Sequence, residues 1–268
     1  MRHLAAFGKH LFLIVASVIS LFPFLWMIIG MTNTSSDIVK GQFSFGSNLG
    51  TNISKLFDST PIGTAFMNSL IIAVISTVLT LLLCSLAGYG FEVYRSKNKD
   101  RLFAFLLLSM MMPFAAIMIP LFKMFSQWGL MNSVVAVILP TMTTAFMIFF
   151  FLQNTKSFPR ELLQAGRVDG LNEWKLFTHI YMPTMKPTYA AAAIITFMAN
   201  WNNFLWPLIA LQSPEKKTLP LIVSSLASSY NPDYGIIMVA IVISTIPTVL
   251  IFFLLQKQFV QGMLGSVK

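Results

Sequence analysis

AFMNSLIIAVISTVLTLLLCSLAGY, residues 65–89, holds no Asp, Glu, Lys, Arg or His. A hydrocarbon core about 30 Å thick needs about 20 apolar residues wound as a helix, so this stretch is long enough to cross a bilayer. Five others share the property: 11–31, 102–122, 133–152, 188–211 and 235–256. The nine acidic and eighteen basic residues of the chain all fall outside these six windows. A charge at the centre of an inserted helix costs about 2.5–3.5 kcal/mol, so charge-free spans are what insertion selects. The composition agrees: 56% of the 268 residues are hydrophobic and 10% charged, against about 25% charged in soluble domains. The expectation is an all-α integral membrane protein of six transmembrane helices, with residues 1–268 forming one transmembrane domain.

The connections alternate in charge. Arg2 and Lys9, then Arg95, Lys97, Lys99 and Arg101, then Lys156, Arg160, Arg167, Lys175 and Lys186, and finally Lys257 and Lys268 gather on one side. The other side has Lys40, Lys55, Lys123, Lys216 and Lys217. The positive-inside rule puts the first side, and with it both termini, in the cytoplasm. Arg2 and Lys9 ahead of an apolar run also suit a signal peptide, but the run is too long and Met31-Thr32-Asn33-Thr34 is no small-residue cleavage site, so the first span reads as retained. The net charge of +9 is spread between the spans and forms no single patch, which argues against nucleic acid.

Five spans carry proline, at Pro23, Pro113, Pro140, Pro207 and Pro247. Each removes a backbone donor and bends or breaks its helix; these read as ordinary kinks or as hinges along a path. Met110-Met111-Met112 before Pro113 reads as adaptable packing, or as a gate.

The cytoplasmic connection 153–187 is too long to be a plain turn. Pro159 suits a helix start, and Glu161, Gln164, Ala165 and Val168 then share one face. Asp169-Gly170 is a stop signal, with Gly170 free to take a left-handed conformation. Asn172 can cap a second helix in which Trp174, Phe177, Ile180 and Tyr181 recur at helical spacing, ending at Pro183. Such a helix–turn–helix either rests on headgroups or docks a soluble partner; Ala165 and Gly166 favour docking, since small residues allow a close approach.

The run PRELLQAGRVDG, residues 159–170, followed by Phe177, Ile180, Met182-Pro183 and Lys186-Pro187, resembles the EAA loop of permease subunits of binding-protein-dependent ABC importers. The resemblance implies the type I ABC importer permease fold. It also implies that Glu161, Gln164, Ala165, Gly166, Asp169 and Gly170 couple the chain to an ATP-binding subunit. Where the family reads Glu-Ala-Ala, this chain reads Gln164-Ala165-Gly166; glutamine removes an ion pair and glycine loosens the helix by up to about 1 kcal/mol. NWNNFLWPL, residues 200–208, then Thr218-Leu219-Pro220 and the tail QKQFVQGMLGSVK, residues 256–268, resemble the maltose-type carbohydrate permeases. The partners implied are a second permease subunit, two cytoplasmic ATP-binding subunits that carry ATP and Mg, an extracytoplasmic solute-binding protein, and the bilayer of a bacterial or archaeal cell. A glycerol phosphate or other polyol is the alternative solute.

Asn200, Asn202 and Asn203 are amides inside a span. They serve either as interhelical glue or as the lining of a solute path with Trp201 and Trp206, since amides suit sugar hydroxyls and aromatic faces suit ring C–H groups. Trp near an interface is also an anchor. Asn68, Ser69, Ser76 and Thr77 are weaker path candidates. The chain lacks a phosphate-binding G-x-x-x-x-G-K-[ST] loop and has no intramembrane carboxylate or histidine to carry protons, so its energy comes from elsewhere or it is a stand-alone facilitator. Cys84 is alone, and His3, His10 and His179 are scattered, which gives no metal-ligand spacing; no residue constellation points to an enzyme.

Overall fold

A computed structural model describes the backbone of residues 2–264 and the side chains of residues 7–257. The side chains of residues 258–264, Arg2 and His3, and all of residues 265–268, including Lys268, lie outside the described residues. Two compact units are built, one from residues up to Ala65 with Leu219–Ile246, the other from Phe66–Thr218 with the residues from Pro247 onward.

The first unit holds α1 (Arg2–Gly30), α2 (Ser35–Val39), α3 (Leu49–Ser59), α14 (Leu219–Ala227) and the first half of α15 (Tyr234–Leu264). Phe12, Ile14, Val18 and Ile19 of α1 stay uncovered, as lipid-facing side chains do. The end of α1 is fixed by amides. Asn52 Nδ2 donates to the carbonyls of Met31 and Asn33 at 3.0 and 2.9 Å, and Asn33 Nδ2 donates to those of Ile29 and Ser44 at 3.1 and 2.8 Å. These bonds tie the turn after α1 to α3 and to residue 44.

The second unit holds most of α4 (Ile62–Val93), then α5 (Lys97–Ser109), α6 (Phe114–Gln127), α7 (Val134–Thr141), α8 (Ala145–Thr155), α9 (Arg160–Val168) and α10 (Glu173–Lys175). A π-helical turn (Leu176–Tyr181), α11 (Met182–Thr184), α12 (Lys186–Trp201) and α13 (Leu205–Ala210) follow. One core joins Ile72, Phe125, Val137, Trp206 and Ala210; another joins Cys84, Met147, Phe151 and Ala192. The Trp206 Nε1–H donates to the Ala136 carbonyl at 2.8 Å. At Gly88, α4 meets α8 so closely that a Cβ would lie 2.7 Å from the Phe151 Cβ and 2.8 Å from the Leu152 backbone nitrogen.

Among the described residues, three helices are long and apolar enough to cross a membrane, at 7–30, 62–93 and 234–257. They coincide with the first, second and sixth expected spans. Two bent pairs bring the number to up to five: α5 with α6 at 99° and α7 with α8 at 42°. The third span is therefore broken rather than kinked. Proline disfavours helix in the residue before it, and Pro113 sits in extended conformation as the cap of α6. Met110, Met111 and Met112 at this corner are exposed, so they do not serve as packing within this chain. The fifth expected span, 188–211, is α12 and α13 with a break between them, four residues ahead of Pro207, whose ring crowds the carbonyl of residue 203; Pro23 and Pro247 lie inside α1 and α15 without ending them. In the 153–187 connection Pro183 does not end the second helix, which continues to Thr184. The wide turn just before it, closed by the Met182 N–H on the Phe177 carbonyl, relieves the clash between a proline ring and a preceding carbonyl.

Because the Gly88 contact is with backbone, it cannot yield. Gly88→Leu is expected to cost about 1–3 kcal/mol by overpacking, seen as a lower thermal unfolding midpoint of the purified protein in detergent; Gly90→Ala, where a Cβ meets nothing within 4 Å and helix propensity improves, is the control whose midpoint does not fall.

Candidate functional site

Two places in the second unit collect the residues singled out from the sequence. The first is the helix–turn–helix of residues 159–185. Glu161 lies in the first turn of α9 and Arg167 in its last, each matching the helix dipole. The helix stops in a turn that only glycine fits without strain. Gly170 has φ +80°, its N–H reaches the Arg167 carbonyl at 3.1 Å, and the Leu171 N–H reaches the Gly166 carbonyl at 2.9 Å. This is a paired C-terminal cap. Asn172 then accepts the Lys175 N–H at 2.9 Å and starts the next helix.

The two faces of α9 differ. Leu163 and Gly166 point inward, into a core of Tyr89, Phe158, Leu176, Phe177, Tyr181 and Met185. Glu161, Gln164, Ala165, Asp169 and Gly170 are exposed, and Val168 is 88% exposed. The sequence-based reading grouped Gly166 with the partner-facing residues, but its missing side chain serves the loop itself. A Cβ there would come within 2.5 Å of Leu176 Cδ2 and 2.6 Å of Ile180 Cδ1. Trp174, at helical spacing with Phe177, is 59% exposed and touches it with ring centroids 6.0 Å apart.

Polar contacts fasten this block to the helix ends beside it. Arg160 Nη2 donates to Glu92 Oε1 at 2.6 Å and to the Glu92 carbonyl at 3.4 Å. Arg167 Nε donates to Glu173 Oε1 at 3.0 Å, and the Tyr94 hydroxyl donates to Glu173 Oε2. The hydrogen bonds from Arg167 and Tyr94 hold the Glu173 carboxyl below the usual carboxylate range. Thr155 and Tyr181 share a hydrogen bond of 2.6 Å, and burial raises the Tyr181 hydroxyl above the ordinary phenol range. Sequence reasoning missed Tyr89, Glu92 and Tyr94. The one available signal was a lone carboxylate just past the apolar run that ends at Tyr89.

The second place is a cavity of about 380 Å³ lined by Thr80, Thr141, Thr144, Thr196, Asn200 and Asn203 with Phe114, Phe146 and Trp206 among its apolar residues. None of its lining residues is ionisable. It opens where helices are broken: at the α7–α8 break Thr80 Oγ1 donates to the Thr141 carbonyl at 3.0 Å, and Thr144 caps α8 by accepting the Met147 N–H. Thr196 Oγ1 is buried with no protein partner. Of the five residues expected on a path, Asn200, Asn203 and Trp206 line the cavity. Trp201 does not; it is buried against Phe66 and Phe197, with ring centroids 5.6 and 5.8 Å away. Asn202 is exposed and donates to the Met198 carbonyl at 2.9 Å. Asn68 ties down the turn before Thr218 by donating to the Glu215 and Lys217 carbonyls at 2.9 and 3.1 Å, and Ser76 accepts the Thr141 hydroxyl.

Comparison with known proteins adds three findings. The sequence profile described as "binding-protein-dependent transport system inner membrane component" matches residues 84–265. The chain is 52% identical over 267 residues to the lactose transport system permease protein of Rhizobium radiobacter, covering 100% of this chain and 98% of the relative. It is 36% identical to the arabinooligosaccharides transport system permease protein of Bacillus subtilis, covering 100% and 99%. Among solved structures, a bacterial ABC transporter chain involved in import of the acidic polysaccharide alginate superposes with a TM-score of 0.85 at 18% identity, over 96% of this chain and 97% of that one.

Gly166 tests the inward reading of α9. The atoms that a Cβ would meet are the far ends of Leu176 and Ile180, which can shift, and alanine restores about 1 kcal/mol of helix propensity. Gly166→Ala is therefore expected to leave the unfolding midpoint nearly unchanged, and Gly166→Val to lower it clearly; equal effects of the two would contradict the packing described.

Proposed function

We propose, from the premise that this chain belongs to the family of binding-protein-dependent transport system inner membrane components, that it is a permease subunit of an ATP-driven importer for a neutral sugar or oligosaccharide. The chain crosses the membrane six times, with three of the crossings broken, and both termini lie in the cytoplasm of a bacterial or archaeal cell. It pairs with a second permease. An external solute-binding protein delivers the solute, and two cytoplasmic subunits bind and hydrolyse ATP.

The observation that carries this reading is the asymmetry of α9. One face is packed into the chain's own core, while the other, with Val168 88% exposed beside Glu161, Gln164, Ala165 and Asp169, is left uncovered. A loop merely resting on headgroups would leave its basic groups free for the lipid, whereas Arg160 and Arg167 are paired with Glu92 and Glu173. An uncovered face on a helix whose other side is held by the chain's own core suits a protein cleft. When ATP draws the partner subunits together, the two permeases' loops follow, and the path switches between inward- and outward-facing states. A stand-alone facilitator has no use for such a face.

The solute class rests on the cavity. Threonine hydroxyls, Asn200 and Asn203 offer hydrogen bonds, and Phe114, Phe146 and Trp206 offer apolar faces. A phosphate or carboxylate entering a site without a cation would lose hydration with nothing charged to replace it. This favours a neutral glycoside over a glycerol phosphate.

In proteoliposomes holding the complete importer, lactose is expected to be taken up with ATP, and a large excess of sn-glycerol 3-phosphate is expected not to compete; competition would overturn the neutral-solute reading. Val168→Cys in a Cys84→Ser background is expected to cross-link in native membranes to a nucleotide-hydrolysing protein. Gly170→Val places a β-branched residue at φ +80°, a conformation costing an L-residue about 1–2 kcal/mol, so solute moved per ATP hydrolysed should fall while the subunits still co-purify. Normal coupling in that variant would contradict the role given to the turn.

A further inference from the structure

The face of α9 explains how a partner could hold the loop, but not how displacement of the loop reaches the cavity. Helix α4 offers the route. It runs unbroken from Ile62 to Val93 with no internal proline, whereas the helix pairs α5–α6 and α7–α8 are bent at breaks. Its end carries Glu92, whose side chain is only 9% exposed. A carboxylate so buried needs a cation, and the one it has is Arg160, the first residue of α9, at 2.6 Å. The same guanidinium nitrogen also reaches the Glu92 carbonyl at 3.4 Å, where a helix end presents carbonyls and partial negative charge. One arginine therefore holds both the side chain and the terminal backbone of α4.

Further along α4, Gly88 sets it against the backbone of α8, and Thr80 reaches the Thr141 carbonyl at the α7–α8 break, where both threonines line the cavity. We infer that Glu92 is a positioning residue for coupling, and that the Arg160–Glu92 pair transmits movement of the loop to the cavity through α4. This rests on the loop being the docking element proposed above. The second fastening, Glu173 to Tyr94, joins α4 to the far side of the same loop. Tyr94 lies past the end of α4, so the Glu92 pair is the more direct connection.

The test does not require the solute to be known. Ala199 is exposed and lines the cavity. In a Cys84→Ser background, Ala199→Cys is labelled with a maleimide in the complete complex, with and without a non-hydrolysable ATP analogue. The parent is expected to change its labelling rate by about fivefold or more, the range of ordinary coupling energies. With Glu92→Ala or Arg160→Glu, the complex is expected to assemble but to lose that response. Exchanging the charges, Glu92→Arg with Arg160→Glu, is expected to restore most of it. A role in folding alone would lower yield without separating assembly from response. If a single variant fails to assemble, the exchanged pair decides. Restored response supports the inference, and an assembled but unresponsive exchanged pair overturns it. A responding parent with an equally responding Glu92→Ala overturns the inference alone. A parent that does not respond overturns the proposed coupling and this inference together.

Discussion

Lipid offers no hydrogen bonds, and this one constraint organises the chain. Wherever a helix breaks inside an apolar stretch, another group of the protein must take up the freed backbone. Thr80 does this for Thr141 at the α7–α8 break, and Thr144 does it for the first turn of α8. The same residues then face the cavity. Breaks are thus both the places where polar side chains are obligatory and the places where polar groups become available to a solute. A continuous apolar helix such as α4 offers little of this, but it can be pushed or turned as a unit.

The loop is built on the opposite principle. It satisfies itself through caps: Gly170 and Leu171 close α9, Asn172 opens the next helix, and the Arg167–Glu173 pair joins the two. Its inner side is a core of aromatic rings around Tyr89 and Tyr181, with centroids 4.8 Å apart. An element so closed could be held from outside without losing its shape, and the groups that tie it to α4 are the ones through which force could pass. Gly166 belongs to this internal economy. Its departure from the family's alanine is matched by the bulk of Leu176 and Ile180 pressed against it.

Much of this was legible in the sequence. Charge-free runs marked the helices 7–30, 62–93 and 234–257 because insertion excludes charge. Asp169-Gly170-Leu171-Asn172 announced a stop and a start because only glycine tolerates the left-handed turn and asparagine caps well. Other features were not legible. Glu92 and Arg160 are sixty-eight positions apart, and nothing local pairs them. Asn200, Trp201, Asn202 and Asn203 read alike in sequence, yet each step along a helix turns the side chain through about 100°, so Asn200 meets the cavity and Trp201 the core. The size of the bend at Pro113 and the passage of a helix through Pro183 depend on neighbouring carbonyls that only the fold positions.

The central claim is that the uncovered face of α9 is gripped by an ATP-hydrolysing partner. Amide hydrogen exchange on the permease pair, alone and then with its ATP-binding subunits, measures this most directly. Slowed exchange confined to the segment around 160–172, deepening when a non-hydrolysable ATP analogue is added, is the result predicted. Unchanged exchange there, with protection appearing in other connections between helices instead, would contradict the account.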